Sequence, residues 1–196
     1  MQLTPREAWR RPYPDATHGT AAIQSYRADG LTALRAAIHG ENVREGDVCT
    51  QLLINGHLVM SDSRDEYRDH ITAINRATGR VLINGLGLGC YLAAILTKPD
   101  VRRVDVVEIN PDVLALVAPH FYDDERVRFH RADAYEQAKR WPSGIRWDVA
   151  WHDIWPDKCT DDLKHHARLS RSYGRRVDWQ GCWAHERLLW LRERGR

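Results

Sequence analysis

Long apolar runs are missing from this sequence. No stretch approaches the ~20 consecutive apolar residues that a bilayer-spanning helix needs, so no membrane partner is expected. The opening segment, Met1-Gln2-Leu3-Thr4-Pro5-Arg6-Glu7, also lacks the apolar core of a signal peptide, and a cytoplasmic location is the expectation. An excess of one charge is missing too: 29 Lys+Arg against 27 Asp+Glu leave +2, a balance that neither requires nor forbids an anionic partner. Cysteine is scarce, with four residues (Cys49, Cys90, Cys159, Cys182) and no Cys-x-x-Cys pair, which predicts free thiols. Cys159, His165, His166, Cys182 and His185 share one stretch, but their spacing fits no compact zinc pattern, and no metal is expected.

What is present is ordinary globular composition: 196 residues, 43% hydrophobic and 29% charged. That length suits one domain with a small extension. Residues 1–50 read as a polar N-terminal extension, broken by Pro12, Pro14, Gly19, Gly30 and Gly40, with one helix at 31–38 carrying Leu31, Leu34 and Ile38 on one face. Residues 51–60 place Asn55-Gly56 between two apolar runs, and both residue types tolerate the positive φ of a type I′ turn. A β-hairpin is predicted there. A helix over 65–75 follows, with Tyr67, Ile71 and Ile74 inward.

From residue 81 the chain alternates regularly. Strands are predicted at 81–84, 104–108, 127–130 and 147–152, and helices at 90–97, from Asn110-Pro111 onward, and at 134–140. Alternation of this kind means a doubly wound, mostly parallel Rossmann-like α/β sheet with helices on both faces. Beyond Pro156 a helix at 161–170, a fifth strand at 176–180 and a closing helix at 183–192 are expected. A seven-stranded version would need further strands after the fifth; the sheet is either shortened or completed by residues 1–60. A shortened sheet leaves an edge that predicts a homodimer.

Chemistry gathers at the carboxyl ends of these strands. Gly85-Leu86-Gly87-Leu88-Gly89 lies between strand and helix, where bare backbone admits a ligand and the helix N-terminus favours negative charge. Cys90 stands where the dinucleotide fingerprint has its third glycine, which argues against a nicotinamide cofactor. Glu108 ends the second strand, where a carboxylate accepts from ribose hydroxyls; Asp133 follows the third, and Asp153 the fourth. Asp133 reads equally as an adenine contact or as the cap of the next helix. Trp155 reads as a pocket wall or as packing under the sheet edge, and His165 and His166 as proton acceptors or surface residues. Residues 164–196 hold nine Lys/Arg with Trp179, Trp183 and Trp190 interleaved. This tail reads as a solvated face or as a nucleic-acid contact.

Val81 to Gly89, Val106 to Pro111, Ala132-Asp133-Ala134 and Trp147-Asp148-Val149 together resemble class I S-adenosylmethionine-dependent methyltransferases. The hairpin 52–60 and Arg64-Asp65-Glu66 narrow the resemblance to the spermidine synthase-like branch, over residues 51–155. The resemblance implies S-adenosylmethionine as cofactor. Gly85, Leu86, Gly87 and Gly89 would line its methionine part, Glu108 with Ile109 would hold the ribose, and Asp133 with the Ala134 amide would read adenine. Polyamine synthases carry an acidic residue where Leu88 stands, a Tyr-His-Glu where Asp69-His70-Ile71 stands, and their catalytic Asp where Pro156 stands, with Asp157 one step late. The expectation is therefore a methyltransferase of unidentified acceptor, with Asp153 as base. The alternatives are aminopropyl transfer, or a non-catalytic module binding nucleic acid or a protein.

Overall fold

The computed structural model describes residues 3–38, 43–156 and 158–194. Two sheets organise it. The first is antiparallel and runs in chain order: β1 (Ala16–His18), β2 (Ala21–Arg27), β3 (Val48–Ile54) and β4 (His57–Ser61). Asn55 and Gly56 turn β3 into β4 with φ of 52° and 78°, the left-handed pair that a type I′ hairpin demands. One step later the register slips between Leu52 and Leu53, so that Met60 pairs with Leu52. A bulge of this kind re-aims side chains, and Met60 is carried onto the glycine loop.

Short α1 (Pro5–Trp9) begins with a capping box between Thr4 and Glu7. It packs on the helix that follows the glycine loop, with Trp9 and Tyr13 buried in the main core. Helix α2 (Gly30–Ile38) forms as expected and leaves Leu31, Leu34 and Ile38 exposed. Helix α3 (Arg64–Arg76) starts at Ser63, whose hydroxyl accepts from the Glu66 amide. Of its expected inward residues, Ile74 is buried and Tyr67 half-buried, but Ile71 is exposed; His70 and Ala73 occupy the buried face instead.

The second sheet is wholly parallel, in the order β7 (Val127–Arg131), β6 (Val101–Glu108), β5 (Gly79–Asn84), β8 (Trp147–His152), β9 (Val177–Cys182). Strands β1–β4 form a sheet of their own and do not complete it, which corrects the second of the two arrangements expected. Alternate residues of β5 feed two cores. Val81 and Ile83 pack with α3, α4 (Cys90–Leu96) and α5 (Pro111–Val117), while Leu82 packs opposite with α6 (Ala134–Arg140) and α7 (Leu163–Tyr173). Fully buried aliphatics such as Leu82 and Leu92 each contribute roughly 1.5–3 kcal/mol. Ala184, at φ 56°, breaks the chain after β9, so α8 begins at His185 (His185–Arg194) rather than at Trp183.

This strand order reverses beside β5. Chain progression runs outward to β6 and β7 on one side and to β8 and β9 on the other, which opens a crevice at the carboxyl ends of β5, β6 and β8. Open α/β sheets hold ligands at such a switch point.

Candidate functional site

A cavity of about 470 Å³ occupies that crevice, roofed by Leu52, Ile54 and Met60 of the β3–β4 hairpin. Its floor is the glycine loop. Gly85 sits at φ 96°, and a Cβ there would lie 1.8 Å from the Asp153 carbonyl oxygen, so only glycine lets the loop cross the end of β8. Gly87, at φ 53°, lies against the Met60 sulfur, which also accepts from the Leu88 amide at 3.3 Å. Gly85 and Gly87 line the cavity. Leu86 and Gly89 do not: Leu86 is buried beneath it, and Gly89 packs against Phe121 and Val117.

Glu108, at the end of β6, is almost fully buried yet lines the cavity. Its Oε2 accepts from the Leu86 amide and its Oε1 from the Asn110 amide, both at 2.8 Å, and this locks the glycine loop to the start of α5. Burial pushes its carboxyl up, against the pull of those backbone bonds. Ile109 stands exposed at the rim, 62% accessible, and offers an apolar face to a ring. Asp133 is the helix cap that one of its two readings expected. Its Oδ1 caps α6 by accepting from the Tyr135 and Glu136 amides, and the residue also lines the cavity beside Ala134. The Ala134 amide is the first of α6, one of the donors a helix leaves without an internal partner.

Across the cavity stand two further carboxylates, Asp153 and Glu66. Asp153 Oδ2 lies 2.9 Å from Nε2 of His70, a fully buried imidazole wedged between Trp9 and Trp151. The other ring nitrogen, Nδ1, lies 2.7 Å from the Glu66 backbone oxygen one turn earlier on α3. Burial alone would push His70 down, but the bond and charge of Asp153 hold it above its usual range. Glu66 itself is pushed up to about 7: burial leads, His70 and Lys158 oppose it, and the like charges of Asp153 and Asp69 add to it. Among the described residues its side chain has no hydrogen-bond partner.

Trp155 and Trp183 close the far wall. Trp155 packs against His166 with ring centres 4.1 Å apart and ring planes inclined at 48°, so it is both wall and packing. His166 is buried against His185 (Nδ1 to Nδ1, 3.0 Å), and burial pushes it down to about 4; His165 rides the half-buried face of α7. Pro156 lines the cavity, while Asp157 lies outside the described residues. Among the described residues no group of three or more His, Cys, Asp or Glu side chains is arranged to hold a metal ion. Most of the basic tail is α7, β9 and α8, with Trp183 buried, Trp179 half-buried and Trp190 exposed. Also among these residues, no helix is long and apolar enough to cross a membrane.

Sequence reasoning missed three contributors. Met60 needed the bulge, Trp183 needed the β9 register, and Glu66 was noticed only as part of Arg64-Asp65-Glu66. Its one local signal was its place three residues after Ser63, in the first turn of α3.

The molecule superposes on spermidine synthase from Thermotoga maritima with a TM-score of 0.54, over 84% of this chain and 53% of that one, at 14% identity. The fold is Rossmann-like, of the methyltransferase type. No protein-family model matches the chain. Curated relatives do: it is 34% identical over 148 residues to polyamine aminopropyltransferase 2 of Streptomyces coelicolor, covering 67% of this chain and 26% of that protein. It is 35% identical over 127 residues to polyamine aminopropyltransferase 2 of Caldanaerobacter subterraneus, covering 60% of this chain and 40% of that protein. The chain thus spans between a quarter and two-fifths of the length of these two relatives. The relatives overturn the expectation of a methyltransferase that uses S-adenosylmethionine as methyl donor, since the proteins similar to this chain are polyamine aminopropyltransferases. Leu88 and Pro156 do stand where that branch carries carboxylates, but Glu66 brings a carboxylate to the cavity from α3. Leu88 is itself fully buried and does not line the cavity.

Proposed function

We propose that this chain transfers an aminopropyl group from decarboxylated S-adenosylmethionine to a diamine or polyamine acceptor held in the cavity. One observation carries the reading: Glu66, Glu108, Asp133 and Asp153 all line the cavity, and among the described residues no lysine or arginine does. A site of four carboxylates suits ligands that are cations throughout. The decarboxylated donor carries a sulfonium and an ammonium, and the acceptor carries two or more ammonium groups. The carboxylated donor would bring one more negative charge into a cavity already lined by carboxylates. A pair of like charges about 6 Å apart costs roughly 3 kcal/mol at an effective dielectric of ~20.

Glu108 and Asp133 suit the ribose and adenine ends of the donor, Ile109 the face of its base, and Gly85 and Gly87 its sulfonium arm. Glu66 and Asp153 then face the acceptor. The acceptor nitrogen loses a proton, and its lone pair attacks the methylene carbon that joins the aminopropyl chain to sulfur. The carbon–sulfur bond breaks with its electrons returning to sulfur, which leaves as a neutral thioether. The protein contributes alignment, exclusion of water beneath the hairpin roof, and a proton acceptor.

The test is to incubate the protein with decarboxylated S-adenosylmethionine and a panel of linear diamines and triamines, and to analyse the products by mass spectrometry. Equimolar methylthioadenosine and an amine heavier by one aminopropyl group are expected. Absence of both with every amine would refute the proposal.

A further inference from the structure

We propose that Glu66, and not Asp153, is the base that takes the proton from the acceptor amine. The inference rests on the aminopropyl-transfer reading and follows from where the protons must be. The Glu66 backbone oxygen can only accept, so the 2.7 Å contact requires His70 Nδ1 to carry a hydrogen. The 2.9 Å contact between His70 Nε2 and Asp153 Oδ2 needs a second proton between them. Either the imidazole is doubly protonated against a carboxylate, or a neutral imidazole accepts from a protonated Asp153. In both cases the pair already holds the proton that a base would take up. If Asp153 gained another, it would leave a fully buried imidazolium without its counter-charge.

Glu66 is placed differently. It lines the same cavity, none of the described residues donates to its side chain, and its charged neighbours balance. The pair of His70 on its own helix and Asp153 after β8 is neutral overall in either proton arrangement, and Lys158 in the following segment offsets Asp69. Lys158 is in turn held by Asp69 at 2.6 Å and lies over the Trp183 ring. What remains is burial, which sets the carboxyl near neutrality, where a general base is most effective. One proton passes from the acceptor ammonium to Glu66. The freed nitrogen forms its bond to the donor carbon, sulfur leaves with the electron pair, and Glu66 returns its proton to solvent as the product departs. The Asp153–His70 pair is a positioning element that fixes the acceptor's charge beside the base.

The experiment is a pH profile of kcat/KM for the full chain and for Glu66→Gln and Asp153→Asn, with a carboxyl-carbon NMR titration of glutamate-labelled protein. Glu66→Gln identifies the resonance. The proposal expects an acid limb centred near pH 7 that Glu66→Gln abolishes, with a fall of about 100-fold or more at pH 7 and partial recovery at high pH. It expects Asp153→Asn to keep the limb. A limb kept by Glu66→Gln and lost by Asp153→Asn overturns it. If the wild-type chain makes no product, the functional reading fails, and the titration still decides the proton inventory. A Glu66 resonance titrating near 7 supports the assignment, and one titrating near 4 overturns it. If Glu66→Gln fails to fold, Glu66→Asp identifies the resonance by its disappearance and serves in the same profile.

Discussion

Asp105, in the middle of β6, is the buried charge on which the far core is built, and replacing it with asparagine tests that directly. Its Oδ2 accepts from Arg80 Nε and Nη2 at 3.0 and 2.8 Å and from Trp147 Nε1 at 2.9 Å; its Oδ1 faces His130 Nε2 at 3.3 Å and Arg103 Nη2 at 3.4 Å. Asparagine keeps one acceptor oxygen and turns an amide toward donors at the other. Breaking a buried, hydrogen-bonded ion pair costs about 3–5 kcal/mol. Arg80 and Arg103 remain 27% and 40% exposed and recover some solvation, which favours the lower end. For a chain of this size ~3 kcal/mol lowers Tm by roughly 6–12 °C. Burial alone would push the Asp105 carboxyl up, but His130, Trp147 and Arg80 together hold it well below the usual carboxylate range. A carboxyl depressed on folding stabilises the protein above its unfolded value and loses that contribution as pH falls below about 4. Thermal unfolding of wild type and Asp105→Asn, followed by circular dichroism, should therefore differ most at pH 6–7 and converge below pH 4. A difference under ~2 °C at pH 7, or one that grows on acidification, would mean that the Asp105 charge does not hold this core.

Gly85→Ala should lower Tm far more than Gly144→Ala. Both residues have positive φ, but the added carbon at 85 meets the Asp153 backbone at 1.8 Å, while at 144 nothing lies within 4 Å. The second variant shows the conformational strain alone, about 1–2 kcal/mol; equal losses would mean that the loop yields. His152 is fully buried between Asn84 and Gln180, and burial pushes it down to about 4. It must charge on unfolding, so its contribution is present at pH 7 and is lost as pH falls from about 6.5 toward 4. The Tm advantage of wild type over His152→Gln should shrink across that window, and a constant difference would contradict this.

The parallel sheet was legible because each strand from 81 onward is bounded by its own signal. Asn110-Pro111 is one: Asn110 accepts from the Asp112 and Val113 amides, and Pro111 sits where no donor is needed. Asn55-Gly56 is another. The N-terminal strands were not legible. β1 is three residues long with no buried face, and β2 buries only Ala21 and Ile23 before its pattern lapses. β2 is held by pairing with β3, a contact at long range that no local pattern encodes, and β1 only by pairing with β2. Within the site, Glu108, Asp133 and Asp153 were readable from their places at strand ends. Glu66 was not, because it comes from a different layer and reaches the cavity only when α3 packs against the sheet through Ala73 and Ile74.

If this cavity is built for cations throughout, it must discriminate between donors. Calorimetric titration with decarboxylated and with carboxylated S-adenosylmethionine, under one buffer and salt condition, separates the two by one carboxylate. The decarboxylated donor should bind at least about tenfold more tightly, a difference of ~1.4 kcal/mol. Equal binding, or preference for the carboxylated donor, would contradict it.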